Sequence, residues 1–159
     1  MSDISKLDLI GFAINSTRDV FQTMLSMKLN VIESRLPMKS PNKIVGCVSF
    51  AGDVMGNICI HVPSAFARVM AAAMLGMEPD EIEGEDEVSD VIGEVSNMIG
   101  GDLKSRLCDA GLPCQLSIPS ITRGNDFVIE SKGWMRHERF AFQQQGHLAM
   151  VEVFIKTVN

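Results

Sequence analysis

Apolar residues recur three and four positions apart in three stretches of this chain, which predicts three amphipathic helices. The first stretch runs from Leu7 to Lys28. The second begins at Pro63, whose missing N–H suits a first helical turn, and ends at Leu75, before the helix-stopping Gly76. The third runs from Asp86 to Ala110.

The same pattern predicts which side chains of these helices face the core. In the first helix they are Leu9, Phe12, Ala13, Ser16, Val20, Thr23 and Met24. In the third helix they are Val88, Ile92, Val95, Ile99, Leu103 and Leu107. Three methionines in and after the second helix keep helical spacing and are interpreted as core rather than ligand contacts: Met70, Met74 and Met77.

Alternating apolar and polar residues, separated by turn residues, predict strands in the rest of the chain. The predicted strands are Lys43 to Phe50, Val54 to Val62, Gln115 to Ile118, Phe127 to Ser131, Arg136 to Gln144 and Leu148 to Thr157. Turns at Ala51-Gly52-Asp53 and Gln145-Gly146 join two pairs of them into hairpins. This order predicts an α+β fold in which an antiparallel β-sheet packs with helices, in a single domain over residues 1–159.

Composition narrows the classes of function. The chain has 159 residues, 46% hydrophobic content and a formal net charge of −6, with Lys and Arg scattered. The absence of a basic stripe argues against a nucleic-acid partner. No apolar run approaches the roughly 20 residues of a membrane span, and the N-terminus has no signal-peptide pattern. We therefore expect a cytoplasmic protein.

The cysteines and histidines offer little chemistry by themselves. The cysteines are Cys47, Cys59, Cys108 and Cys114; they lack zinc-ligand spacing, so we expect reduced structural thiols and no metal site. His61 lies in a predicted strand and is interpreted as structural. His137 and His147 flank a predicted hairpin, where we expect them to face solvent. Trp134 is compatible with either a dimer contact or the core.

The candidate site lies in the third helix. Glu94 and Asn97 are three residues apart, which makes them neighbours on a helix surface, and the apolar stripe places them on its solvent side. Gly101 follows one turn later and leaves room for a close partner, although an exposed mid-helix glycine costs roughly 1 kcal/mol relative to alanine. Spacing alone also allows Glu94 and Asn97 to be ordinary polar residues on the solvated face of the helix. The acidic run from Glu78 to Asp90 can likewise be a solvated connection.

The segment Gly93-Glu94-Val95-Ser96-Asn97-Met98-Ile99-Gly100-Gly101 resembles the signature of the CheC/CheX/FliY phosphatases of bacterial chemotaxis. The resemblance extends to the N-terminal helix, the Gly52/Gly56 hairpin and Met74-Leu75-Gly76-Met77 with its acidic continuation. A single signature in a chain of one-domain length is most similar to the CheX branch. A CheC/CheX-like fold with long amphipathic helices carrying the ExxN signature is therefore expected.

The resemblance implies removal of the phosphoryl group from the aspartate of a phosphorylated CheY-like response regulator. Glu94 and Asn97 would be the catalytic pair: Asn97 would orient the attacking water, and Glu94 would pair with a lysine of the partner. Asp90, Met98 and Gly101 are the candidate partner-docking residues. The chain would need no cofactor of its own, because Mg²⁺ would reside on the partner's receiver domain. The resemblance also implies a homodimer joined through the sheet.

Two other functions remain open at the level of the sequence. One is a non-catalytic module that binds a receiver domain or a flagellar-switch partner without hydrolysis; the other is a small-molecule sensor on the same fold. A weak internal repeat relates Leu9–Asn15 to Val91–Asn97, with Phe12 at the position of Glu94. Because phenylalanine cannot replace a carboxylate, we expect the first copy to be inactive.

Overall fold

A computed structural model describes residues 3–32, 40–125, 127 and 132–158 of the chain. Three α-helices are present in this part: α1 (Leu9–Leu25), α2 (Ser64–Leu75) and α3 (Glu85–Asp109). The strands are β1 (Asn30–Ile32), β2 (Lys43–Gly52), β3 (Val54–Pro63), β4 (Cys114–Leu116), β5 (Ser120–Gly124), β6 (Arg136–Gln144) and β7 (His147–Thr157). A short 3₁₀ helix spans Pro79–Glu81.

The strands form one antiparallel sheet, in the order β1-β6-β7-β3-β2-β4, with β5 also paired to β2. Together with the three helices this confirms the predicted α+β fold. The hairpin predicted around residues 51–53 is present, with Asp53 between β2 and β3. The second predicted hairpin is also present, and Gln145 and Gly146 adopt positive φ angles at its turn.

The boundaries of α1 follow from its capping groups rather than from the ends of the apolar pattern. The carboxylate of Asp8 accepts a hydrogen bond from the backbone N–H of Gly11 at 3.1 Å, which caps the first turn. Ser26 adopts a left-handed conformation and ends the helix, three residues after Thr23. Thr23 and Met24 are exposed, so their predicted inward positions are wrong. Phe21 is buried instead, because the buried face advances in steps of four from Leu9.

Several smaller predictions also need correction. Pro63 is the residue before α2 rather than part of its first turn. The short strands β1 and β5 were not expected, and β4 ends two residues earlier than predicted, at Leu116. Within the acidic run, the 3₁₀ helix is held by Arg68, whose guanidinium donates to two backbone carbonyl oxygens, at 2.9 and 2.5 Å. The strand predicted over residues 127–131 lies outside the described residues apart from Phe127.

The core lies between one face of the sheet and the helices, and α3 is its central element. Its predicted apolar stripe is confirmed: Val88, Ile92, Val95, Ile99, Leu103 and Leu107 are all buried. The buried face is wider than that stripe, since Ser96 and Gly100 are buried too. Gly100 lies against Val48 of β2, and Gly46 of β2 lies against Ser96. The helix and the strand approach this closely because glycine has no side chain.

The other face of the sheet carries buried ionisable side chains. Lys43, His61 and Glu152 are all nearly inaccessible to solvent. The Lys43 Nζ atom lies 3.2 Å from Nδ1 of His61, and a carboxylate oxygen of Glu152 lies 3.4 Å from Arg139. Burial raises the pKa of Glu152, while the charges of Arg139 and His137 oppose that rise. His61 is thus an interior residue, in keeping with its interpretation as structural.

The other two histidines both stack on aromatic rings. His137 stacks on Phe154 with ring centroids 4.2 Å apart, and its Nε2 atom lies 3.4 Å from Glu152. His147 stacks on Phe66 at 5.1 Å. The prediction that His137 faces solvent is confirmed, since the residue is exposed even though one face of its ring covers Phe154. The same prediction is wrong for His147, which is half-buried because its imidazole lies against the buried ring of Phe66.

The cysteine prediction is wrong for one pair. Cys47 and Cys59 are directly opposite each other in the β2–β3 register, and their sulfur atoms form a disulfide. Cys108 and Cys114 are free thiols, as expected. The strand register explains this disulfide. Side chains directly opposite each other in an antiparallel pair point to the same face of the sheet, and their Cβ atoms are close enough for two sulfur atoms to bridge them.

The contact between α3 and β2 predicts opposite effects for two adjacent glycines. A Cβ added at Gly100 would lie 3.0 Å from Cγ1 of Val48, whereas one at Gly101 would lie 3.9 Å from the nearest atom, in Leu116. Overpacking costs about 1–3 kcal/mol, and replacing a mid-helix glycine with alanine gains about 1 kcal/mol. We therefore expect the free energy of unfolding, measured with urea, to be about 1–3 kcal/mol lower for Gly100→Ala than for Gly101→Ala. Equal stabilities would show that Val48 can move aside freely.

The buried imidazole predicts a loss of stability in mild acid. Burial and the charges of Lys43 and Arg139 lower the pKa of His61 to about 3, against about 6.5 in an unfolded chain. Below about pH 6.5 the unfolded chain binds a proton that the folded protein does not, so the free energy of unfolding falls as pH falls toward 3. Between pH 7 and 5.5 this contribution is about 1 kcal/mol.

Urea unfolding of wild type and His61→Asn at both pH values measures this contribution. Asparagine keeps an acceptor near Lys43 but does not titrate, so we expect the variant to lose about 1 kcal/mol less on acidification. The raised pKa of Glu152 acts in the opposite direction and is present in both proteins, so the comparison isolates His61. An equal loss in both proteins would contradict the assignment.

Candidate functional site

The exposed side of α3 carries the candidate residues in one row. Asp90, Glu94 and Asn97 are exposed, Gly101 is half-buried and Ser105 is exposed. Steps of three and four residues keep these positions on one side of a helix. We call these five residues the α3 ridge. The remaining docking candidate, Met98, is half-buried and packs against the core beside the ridge.

Glu94 and Asn97 are available to a partner. Among the described residues, no hydrogen bond or ion pair engages either side chain. Ser96, between them, is buried and donates to the carbonyl of Ile92 at 2.7 Å. Ser96 therefore faces inward and forms its hydrogen bond within the helix, whereas Glu94 and Asn97 face outward with hydrogen-bonding groups that a partner can use.

The N-terminus of α3 is fixed to the sheet by Arg123 of β5. Its guanidinium forms an ion pair with the Glu85 carboxylate, donates to the Glu85 carbonyl at 2.6 Å and donates to the Ser89 hydroxyl at 3.0 Å from Nε. Sequence reasoning missed this contact because β5 itself was not predicted. Its effect is to hold the helix start, one turn before Asp90, against the strand that pairs with β2.

The last turn of α3 is fixed to α1. Arg106 donates to the Asp19 carboxylate at 2.7 Å, and it also lies 3.5 Å from Asp102 one turn earlier. Both contacts are partly exposed, so each contributes at most about 1 kcal/mol. Their significance is geometric: α3 is attached at its start and beyond its centre, which leaves the ridge on a rigid support.

A connection after α3 borders the ridge on one side. Leu116 ends β4 and lies closest to the Cβ position of Gly101. Pro119 and Ile121 lie 3.9 and 3.8 Å from the Cβ position of Gly93. The expectation of a strand as far as Ile118 did not anticipate this placement, because contacts between a helix and a later loop leave no periodic signal in the sequence.

The internal repeat places its two copies in different environments. Asn15 of α1 is exposed, as Asn97 is, but Phe12 is half-buried and packs against the core, whereas Glu94 is exposed. The α1 copy therefore presents an amide with phenylalanine, not a carboxylate, three residues before it.

Among residues 3–32, 40–125, 127 and 132–158, no three His, Cys, Asp or Glu side chains are grouped so that they could hold a metal ion. In the same residues, no helix combines the length and apolar character required to cross a membrane. A cavity of about 190 Å³ lies elsewhere, at the start of β6, between Ile10 and the residues His137 to Arg139. The α3 ridge does not line it.

Comparisons with known proteins agree with the fold and with the signature. Residues 44–143 match the family model described as chemotaxis phosphatase CheX. A curated relative, the CheY-P phosphatase CheX of Thermotoga maritima, is 28% identical over 127 residues, which cover 79% of each chain.

Solved structures show the same architecture. The crystal structure of chemotaxis protein CheX from Vibrio vulnificus superposes with a TM-score of 0.82 at 22% identity, covering 98% of this chain and 100% of the other. A chain in the CheX-CheY-BeF3-Mg²⁺ complex from Borrelia burgdorferi gives 0.80 at 22% identity, covering 95% and 99%. The family model spans more than half of the sequence, so the chain belongs to the CheX family of chemotaxis phosphatases, within the CheC/CheX/FliY group.

Proposed function

We propose that this protein hydrolyses the aspartyl phosphate of a CheY-like response regulator through Glu94 and Asn97. The observation that carries the proposal is the exposed, unengaged pair on α3 in a chain of the CheX family. The Thermotoga relative is named a CheY-P phosphatase, and the Borrelia structure contains CheY, BeF3 and Mg²⁺ together with CheX. These names support the substrate class.

Asn97 would position the water that attacks phosphorus. Its amide both donates and accepts hydrogen bonds and does not change charge with pH. Water would attack in line, the bond from phosphorus to the receiver's carboxylate oxygen would break, and inorganic phosphate and a free aspartate would result. A hundredfold acceleration corresponds to about 2.7 kcal/mol of barrier lowering, a size that water positioning can supply. A nucleophile from this chain is unnecessary, because the acyl phosphate is already activated.

Glu94 would fix the docking geometry by pairing with a lysine of the receiver. Asp90 lies one turn earlier on the ridge and adds a second carboxylate for a basic partner surface. Gly101 would admit the partner one turn beyond Asn97, and Met98 would add apolar contact at the edge of the ridge. Mg²⁺ would be held by the receiver domain, where it neutralises phosphoryl charge. A homodimer remains a prediction from the family resemblance.

Asn97→Ala should abolish acceleration while leaving docking intact. We expect kcat for dephosphorylation to fall at least about a hundredfold, because the water loses its positioning group. The measurement is phosphate release from a CheY-type receiver phosphorylated with acetyl phosphate in Mg²⁺. Ser105→Ala is the matched control, since Ser105 is a polar ridge residue two turns further on. Activity retained in Asn97→Ala would remove Asn97 from the mechanism.

The same experiment separates the phosphatase from a binding module. Saturable binding of wild type to the BeF3-treated receiver, with an unchanged rate of phosphate release, would favour a non-catalytic partner. If several CheY-type receivers from the same organism show neither binding nor faster decay, the proposal is wrong.

Glu94→Gln should weaken docking more than it slows chemistry. Removing the charge of a close interfacial ion pair commonly weakens binding by about 2 kcal/mol or more, so we expect KM to rise at least about tenfold. The effect should shrink as salt is added, because screening weakens the wild-type pair. Asp109→Asn is the control: it removes one carboxylate from the same helix, about 22 Å further along its axis. Equal effects of the two variants would indicate only a general charge effect.

A further inference from the structure

The connection between β4 and β5 forms a wall beside the α3 ridge. Leu116, which ends β4, lies 3.9 Å from the Cβ position of Gly101, and Pro119, which precedes β5, lies 3.9 Å from that of Gly93. These glycines are four residues after and four residues before Asn97. The connection therefore runs along the same two turns of α3 in the opposite direction, and Ile118 lies in the sequence between its two contacts.

Ile118 is the most exposed large hydrophobic residue in the described part of the chain. Its accessibility is 88%, whereas the other exposed large apolar residues range from 40% to 61%. Single exposed apolar residues are common and by themselves need no explanation. What distinguishes Ile118 is its place in a connection that contacts α3 on both sides of Glu94 and Asn97, whose side chains have no hydrogen-bond or ion-pair partner among the described residues.

The wall is held in place by hydrogen bonds. The backbone N–H of Ser117 donates to the Ser49 carbonyl of β2 at 2.8 Å, and the Ser117 hydroxyl accepts from the Ser49 N–H at 3.0 Å. The same hydroxyl donates to the carbonyl of Ile118 at 3.1 Å. An apolar side chain on a fixed support loses little conformational freedom when a partner covers it, which favours its use in docking.

We infer that Ile118 is a docking residue for the phosphorylated receiver, and that it contacts an apolar patch beside the receiver's phosphorylated aspartate. This inference rests on the proposed function and extends the docking surface from the helix to the β4–β5 wall. The partner surface must be apolar at this point, because a charged group covered by isoleucine would lose its hydration without compensation. Glu94 then supplies a charged contact to the docked receiver and Ile118 an apolar one.

The test is a KM and kcat comparison for dephosphorylation of a CheY-type receiver phosphorylated with acetyl phosphate in Mg²⁺. We expect Ile118→Ser to raise KM about tenfold, the usual scale for losing one buried aliphatic contact. The kcat value should stay within about twofold, because docking rather than water positioning is affected. Ile118→Leu should restore most of the affinity.

Leu148→Ser is the matched control. Leu148 is also an exposed aliphatic residue, 44% accessible, but it lies in β7 beside β6, away from the β4 edge of the sheet. We expect its KM to equal that of wild type.

Three results would overturn the inference. The first is a KM for Ile118→Ser equal to that of wild type while wild type accelerates dephosphorylation; the proposed function would then stand and the docking role would fall. The second is loss of folding in Ile118→Ser, seen as a lowered Tm, since it would show that the side chain packs within the protein. The third is a wild-type protein without acceleration, which removes the proposed function and the inference together.

Discussion

The close packing of α3 on β2 is the contact on which the rest of this structure depends. Gly46 lies against Ser96, and Gly100 lies against Val48. Glycine on each side lets a helix and a strand approach more closely than ordinary side chains allow. The approach buries a wide face of α3 and fixes its rotation about its own axis. That rotation decides which residues of the signature reach solvent.

Fixing the rotation turns a short sequence motif into a surface. Consecutive residues of a helix are about 100° apart around its axis. When Ser96 faces inward, Asn97, one residue later, and Glu94, two residues earlier, therefore face outward. Arg123 at the start of α3 and Arg106 beyond its centre limit sliding and tilting of the helix. A group that has to place one water gains from such support, since a displacement of about 1 Å can cost a hundredfold in rate.

The sequence carried the information for these helices and for the long hairpins, but not for every contact. The stripe of α3 was predictable because its apolar spacing continues over many turns. The predicted hairpin also implied that Cys47 and Cys59 lie opposite each other, since the two cysteines are equidistant from Asp53 at its turn. That signal was available, and the thiols were nevertheless expected to be reduced.

Other features left no readable pattern. β1 and β5 have three and five residues, too few to show alternation, and they exist because longer strands offer them an edge. Ile118 was assigned to a strand, whereas its position depends on how β4, β5 and α3 meet. The ridge itself was predictable from periodicity, while its apolar border required the tertiary structure.

The sheet also separates the ionisable interior of the protein from its proposed chemistry. Side chains alternate between the two faces of a strand. Gly46 faces α3, so the adjacent Val45 faces away, as does its cross-strand partner His61. The shifted pKa values of His61 and Glu152 therefore belong to the face opposite the ridge.

Asn97 has no charge to lose. Acid can thus weaken the folded protein through His61 without changing the group proposed to position water. In this chain the pH dependence of stability and that of catalysis should therefore have different origins, because the amide proposed to position water does not titrate.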